Sequence, residues 1–334
     1  MKKYLLPETG HFYKANLHCH TSVSDGTYTP EEIKEKYMAR GYSVVAYTDH
    51  DVLIGHTDLN DDKFLALHGY EMEMNEEGKQ WRDAKTCHLC LIALEQDNLT
   101  QVCYHRSKYL FHNAENYRDV VCFDENEPDF ERHHTHECVN EIIKKGRDNG
   151  FFVTYNHPTW SMEDYSDYMG YEGMNAMEIY NHGSVALYGY DEYNEKEYDH
   201  MLRAGKMIYC IAADDNHGDI DSFGGYVMIK AQALDYKSVT DALVSGSFYS
   251  STGPEIYSLW VEDGKLNIDC SDAKHIVFQT DTRNIQKFEA PDGGAINKGS
   301  FELNPLDKYV RVTVTDFNGD HANTNAYCIK TILD

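Results

Sequence analysis

Ser43-Val44-Val45-Ala46-Tyr47-Thr48-Asp49-His50 is the stretch that decides the fold class. Its apolar part is continuous rather than alternating, the pattern of a strand buried on both faces of a parallel sheet. It then stops at two side chains able to bind a cation. Six further runs of this kind lie at 15–20, 64–70, 86–94, 151–156, 175–180 and 207–213. Helix-like stretches separate them. Residues 30–40 have Thr29 to cap the first turn, Pro30 at the first helical position and Gly41 as a stop, and 137–149 and 192–204 read similarly. Strands alternating with helices give an α/β fold with a parallel sheet. Seven such units predict a barrel or near-barrel over residues 1–250.

Two segments depart from that rhythm. Residues 95–136 are polar, rich in His, Tyr and Asn, and too long for an ordinary connection, so they are expected to cover an active site. From about residue 251 the period becomes that of short alternating strands, at 256–261, 265–270, 275–280, 309–316 and 325–331. Asp263-Gly264, Asp292-Gly293-Gly294 and Asn318-Gly319 supply the turns. This predicts a small all-β sandwich over 251–334, packed against the barrel.

Composition bounds what the chain can do. With 334 residues, 41% of them hydrophobic, there is material for a sizeable core. Thirty Lys and Arg against 56 Asp and Glu leave a net charge of −26, which would repel a phosphate backbone and excludes an extended nucleic-acid partner. Part of that excess is expected to be carboxylate held for cations. No run reaches the roughly 18 apolar residues of a membrane helix, and Pro7 and Glu8 end the opening apolar stretch too early for a signal peptide. Nine cysteines without a framework point to a reduced, cytoplasmic protein with no membrane partner.

Placement of ligand-type residues is the strongest signal. His18 and His20 are two apart, so on an extended chain both imidazoles face one way and can grip one ion. Asp25 follows in the next loop, His50 ends the second run, Glu71 the third, His157 the fifth, and Asp215 and His217 the seventh, while His88 lies within the fourth. A lone histidine at a strand end is usually structural. Nine ligand types gathered near one end of successive strands form a different pattern, because in a parallel barrel those ends converge on the face that carries chemistry.

The same residues carry a resemblance. Asn16-Leu17-His18-Cys19-His20-Thr21, Ser24-Asp25-Gly26, Thr48-Asp49-His50, Gly69-Tyr70-Glu71, Asn156-His157-Pro158 and Asp215-Asn216-His217 resemble, in order and spacing, the motifs of the PHP (polymerase and histidinol phosphatase) family. Gly246-Ser247-Phe248-Tyr249-Ser250-Ser251-Thr252-Gly253-Pro254 before a β-rich tail resembles the CehA/McbA-like branch. The resemblance implies a distorted (β/α)7 barrel holding two or three divalent ions (Zn, Mn or Fe) that hydrolyses phosphate esters. It implies one ion held by His18, His20, Glu71 and Asp215, a second by Asp25, His50 and His217, and a third by Glu71, His88 and His157. Glu71 would then bridge. Affinity favours Zn over Mn and Fe at such a site. Asp214 departs from the family pattern, which carries a small residue there, and Asp215 is preferred as ligand because its spacing to His217 fits.

The expected activity is hydrolysis of a small phosphorylated molecule by a metal-activated hydroxide, with Asp215 among the catalytic residues and His217, His182 or a metal-bound water assisting departure of the leaving group. The same ions could instead hydrolyse a carbamate, amide or carboxylic ester, or serve a non-catalytic, metal-stabilised module. Arg82, Lys85, Arg106 and Arg118 read first as surface cations and second as a grip on a distal phosphate. Cys87-His88-Leu89-Cys90 has no second cysteine pair, and His133-His134 with His136 reads as a solvated helix start. Glu178 is expected inside the barrel, behind the ligands. Neither a G-x-S-x-G elbow nor a phosphate-cradling glycine loop is present.

Overall fold

The computed structural model describes residues 2–334 and shows a mixed α/β body built mostly of sheet. Its strands are β1 (Lys3–Tyr4), β2 (His11–Asn16), β3 (Val44–Tyr47), β4 (Leu65–Asn75), β5 (Thr86–Ala93), β6 (Phe151–Asn156), β7 (Ala176–Asn181), β8 (Tyr209–Ala213), β9 (Tyr226–Ala231) and β10 (Phe248–Ser251). The C-terminal part adds β11 (Ile256–Glu262), β12 (Lys265–Ala273), β13 (His275–Thr280), β14 (Ile285–Glu289), β15 (Ile296–Glu302), β16 (Tyr309–Thr315), β17 (His321–Thr324) and β18 (Tyr327–Cys328). Helices are α1 (Pro30–Met38), α2 (His136–Asp148), α3 (Tyr165–Tyr168), α4 (His182–Tyr188), α5 (Glu195–Arg203), α6 (Tyr236–Ser245) and α7 (Ile329–Leu333).

Local chemistry explains where helices start. Thr29 accepts from the Glu32 N–H while the Glu32 side chain reaches back to the Thr29 N–H, so α1 begins with a reciprocal cap followed by Pro30. Thr135 caps α2 in the same sense, accepting from Cys138.

The sheet differs from an all-parallel barrel. β2, β3 and β4 are parallel, as are β6, β7 and β8, but β5 runs against both β4 and β6, and β9 against β2. The reason is connection length. Residues 76–85 between β4 and β5 hold only a 3-10 turn at Trp81–Asp83, and a parallel return needs a crossover of about a dozen residues or more. The ladder of regular strands ends at β8, which pairs with β7 and whose Cys210 N–H donates to the Asn325 side chain at 3.0 Å. Beyond the strand ends a single parallel bridge, Cys19 to Asn216, joins the extensions of β2 and β8.

The tail extends the long sheet instead of standing apart from it. The path runs β14-β13-β16-β17-β10-β9-β2-β3-β4-β5-β6-β7-β8, with β18 beside β16, and β10 pairs both β9 and β17. A second sheet, β1-β11-β12-β15, includes an N-terminal strand. Ile256, Leu266 and Phe301 of this second sheet share one core with Ile276, Val312 and the N-terminal Leu6. Residues 325–331, expected as strand, give only the two residues of β18 before turning into α7, because Ile329 and Ile332 bury one helical face. No helix among the described residues is long and apolar enough to cross a membrane, and all nine cysteines are free.

Candidate metal centre

β2 ends at Asn16, so His18 and His20 lie just beyond the strand. They stay extended because the His20 N–H donates to the Asn216 carbonyl at 3.2 Å and the Asp215 N–H to the His18 carbonyl at 3.0 Å. Asn16 ties the two segments together. Its amide donates to the His18 carbonyl at 2.9 Å, and its oxygen accepts from the Asp214 N–H at 3.0 Å. The His18 and His20 Nε2 atoms come within 3.1 Å of each other. Asp215 and His157 hold positive φ values of 54° and 27°, local strain at the point where their side chains turn inward.

All nine ligand-type residues converge. His18, His20, Glu71 and Asp215 form one group, His20, Asp25, His50 and His217 another, and Glu71, His88 and His157 a third, with the offered atoms of each group within 4.8 Å of one another. Glu71 is the hub. Its oxygens lie 3.2, 3.3, 3.4, 3.2 and 3.3 Å from nitrogens of His18, His20, His50, His88 and His157. His88 reaches this cluster from near the start of its strand, because β5 runs backwards and its first residues stand at the same rim as the ends of its neighbours.

A framework behind the cluster fixes the rings. His18 Nδ1 is 2.7 Å from Glu178 Oε1, and His157 Nδ1 is 3.1 Å from Ser161 Oγ. Asp49 faces away from the cluster and accepts from the Thr21 N–H and hydroxyl and from the Ser24 N–H and hydroxyl, which locks the loop after His20. Asn156 donates to Glu71 Oε1 at 3.0 Å. Asp214 also points away, accepting from Tyr37 and from the backbone of Phe223, Gly224 and Gly225. Asp49, a ligand-type residue at the end of its run, thus serves the loop instead of the cluster, and Asn156 carries no ligand signal of its own in the sequence beyond its place beside His157.

Electrostatics and unpaired atoms fit a cationic group. Burial pushes Glu71, Asp25 and Asp215 up, but the facing imidazoles outweigh it and hold all three well below the usual carboxylate range. Burial opposes protonation of His18, His20 and His157, yet Asp215 and Glu71 more than offset it, and His157 rises to about 9. Positive charge is thus strongly favoured here, and a divalent ion would displace these protons. Buried His20, His50 and His88 Nδ1 atoms have no hydrogen-bond partner, and mixed imidazole and carboxylate donors suit a divalent transition metal.

A cavity of about 400 Å³ opens over the cluster, lined by Asp25, His50, Glu71, His88, His157, Asp215 and His217. The 95–136 segment reaches it through Phe111 and His112, and the Phe111 ring stands 4.9 Å from that of His50. Other sequence candidates lie elsewhere. His182 does not line the cavity; its Nδ1 is 2.9 Å from the Tyr180 hydroxyl and its ring packs on Gly224. Lys85 pairs with Asp164 and Asp167, Arg106 with Asp129, Arg118 donates to the Arg106 carbonyl, and Arg82 projects outward at 78% exposure. His133, His134 and His136 go separately to Glu77, Glu163 and the Ser166 carbonyl. Cys87 and Cys90 are both buried, and three residues apart on β5 they face opposite sides.

No protein-family model matches the chain. A segment of 42 residues is 43% identical to a 5'-3' exoribonuclease of Haemophilus influenzae, covering 13% of this chain and only 15% of that protein. Among solved structures, a two-domain protein of Bacteroides vulgatus containing a predicted PHP-like metal-dependent phosphoesterase is similar over 98% of this chain and 97% of its own, at 13% identity and a TM-score of 0.45. A protein of Bifidobacterium adolescentis assigned as a metal-dependent phosphoesterase is similar over 64% of this chain and 89% of its own, at 17% identity and a TM-score of 0.38. In its own residues, the chain resembles PHP-like metal-dependent phosphoesterases both in the order of its motifs and in the cluster of His, Glu and Asp that those motifs form.

Proposed function

We propose that the chain is a metal-dependent hydrolase of small-molecule phosphate esters, using two or three divalent ions (Zn, Mn or Fe) in a reduced, cytoplasmic setting. One observation carries the reading: Glu71 has nitrogens of five histidines within 3.4 Å of its two oxygens. A carboxylate so surrounded is placed to serve more than one ion, whereas each imidazole nitrogen offers a single lone pair. His18, His20, Glu71 and Asp215 would hold one ion, Asp25, His50 and His217 a second, and Glu71, His88 and His157 a third. Bound there, divalent ions supply Lewis acidity and a water of lowered pKa.

The chain's own groups do the rest. His217 Nδ1 donates to the Asp215 carbonyl at 3.1 Å, which leaves Nε2 facing Asp25 and the cavity, able to ligate or to hold a proton for the departing oxygen. Phe111 and Trp160 give the cavity apolar walls beside the cluster. Residues 1–250 carry this chemistry, and 251–334 brace the sheet without contributing a ligand.

A second reading, hydrolysis of a carbamate, amide or carboxylic ester, is favoured by one feature: among the described residues no Lys or Arg lines the cavity to grip a phosphate. The test is a metal-loaded preparation assayed against phosphomonoesters, phosphodiesters and aryl carbamates. Chelator-sensitive phosphate release supports the first reading. Carbamate cleavage without phosphate release transfers the proposal to the second.

A further inference from the structure

The metal-lined cavity does not end at the histidines. Trp160 stands with its ring 5.1 Å from His157 and 5.5 Å from His88, so the wall next to the cluster is an indole. From there Trp81 lies 6.3 Å away on one side and Tyr188 6.1 Å away on the other. Both line the cavity, and both also line a neighbouring groove of about 200 Å³ that continues outward past Trp160. The result is an aromatic slot leading from the cluster to solvent.

Trp160 is built in rather than left over. Its backbone N–H and that of Thr159 donate at 2.9 Å to the two oxygens of Glu192, a fully buried carboxylate that also accepts from Asn194. Trp81 and Tyr188, by contrast, are 68% and 56% exposed, so beyond their ring contacts with Trp160 they leave most of their apolar surface free for a ligand. Charge narrows the occupant further. Beside the cluster the cavity wall carries the Glu73 and Asp25 carboxylates and, among the described residues, no Lys or Arg, so a second anionic group next to the reacting one is disfavoured there. Arg82 lines only the outer groove, with its side chain 78% exposed and turned to Asp83.

We propose, resting on the phosphoesterase reading above, that the slot formed by Trp160, Trp81 and Tyr188 selects esters whose leaving alcohol is uncharged and carries an aromatic ring. The ring lies against Trp160 while the ester group faces Glu71 and Asp215. Rings so placed gain both burial and edge or offset contacts with their neighbours. Trp160 and Trp81 are then specificity-determining residues.

The experiment compares benzyl phosphate with ethyl phosphate, whose leaving alcohols have similar basicity, so that the pair differs mainly in the ring. It uses the metal-loaded full chain, Trp160→Ala, Trp81→Ala, and Trp260→Phe as a control outside the slot. In parallel, quenching of tryptophan fluorescence by uncharged benzyl alcohol reads the slot without any catalysis. The expected result is a kcat/KM ratio of about tenfold in favour of benzyl phosphate, carried mainly by KM. That ratio should fall toward one in Trp160→Ala and Trp81→Ala and persist in Trp260→Phe, with the quenching reduced in the same two variants. Equal use of both esters, with a ratio that none of the variants changes, overturns the slot and leaves the phosphoesterase reading standing. If neither ester is cleaved but the quenching is present and lost in Trp160→Ala, the slot stands and the phosphoesterase reading falls. Absence of both cleavage and quenching overturns the two together.

Discussion

His18 Nδ1 lies 2.7 Å from Glu178 Oε1, with both side chains buried, and this contact sets which nitrogen His18 can offer. With the Nδ1 proton given to Glu178, Nε2 keeps its lone pair toward Glu71 and Asp215, 3.2 Å from each. Glu178 also accepts from the His157 N–H at 2.9 Å and from Asn181 at 2.8 Å, so one carboxylate orients parts of three strand ends. Glu178→Gln keeps the size and loses the charge. Metal affinity in this variant should fall by about 10–100-fold while the fold persists. Competition with a calibrated chelator measures it, alongside circular dichroism. Unchanged affinity would mean that the His18 ring is held by packing alone.

Glu71 and His88 stand 3.2 Å apart but differ in what they can share. Glu71 faces all three groups of nitrogens, whereas His88 belongs to one. Glu71→Ala should therefore lose at least two ions per chain and all hydrolysis, and His88→Ala only one. Elemental analysis of both variants decides the point, and equal stoichiometry in the two is the adverse result.

Much of this site was legible because ligand residues end apolar runs. His50, His157, Asp215 and the His18–His20 pair could be placed from the sequence, and α1 from Thr29, Pro30 and Gly41. What escaped reading had weaker local signals. β14 is exposed at nearly every position and shows no buried alternation, so nothing marked 285–289 as a strand. The reversal of β5 depends on how short 76–85 is, and runs of buried residues look alike in either direction. His182 follows β7 as a ligand would, but its ring turns to Tyr180 and Gly224, a choice made by tertiary packing. Trp160 and Glu192 are 32 residues apart, and nothing short of the fold pairs them.

His134 gives a pH dependence away from the metal cluster. Its Nε2 is 2.9 Å from Glu163 Oε1, and Glu163 also binds the hydroxyls of Tyr155 and Tyr171. Burial opposes protonation of His134, but Glu163 outweighs it and raises the imidazole above its usual 6.5. A group raised on folding stabilises fully below its unfolded value and loses that contribution as pH climbs through the folded value. His134→Ala should therefore cost about 1 kcal/mol at pH 6 and distinctly less at pH 9. Urea unfolding of both proteins at the two pH values checks this. A larger cost at pH 9 would reverse the assigned sign.

Asp199 on α5 and Arg311 on β16 join the tail to the body by a buried fork, Nε to Oδ1 at 2.9 Å and Nη2 to Oδ2 at 3.2 Å. Arg311 is the largest fully buried side chain among the described residues, and beyond the fork its Nη1 donates to the Thr313 hydroxyl at 2.9 Å and its Nη2 to Gln279 Oε1 at 3.4 Å. Removing one partner of such a pair leaves a charge in a dry site. Asp199→Ala should cost about 3–5 kcal/mol. Replacing both, Asp199→Ala with Arg311→Met, should cost less than that single change, since no charge is stranded. Metal content ought to be the same in every variant that folds, because neither residue reaches the cluster. Urea unfolding of wild type, both single variants and the double variant tests this, and a double variant less stable than Asp199→Ala would show that the fork contributes net stability beyond satisfying its own charges.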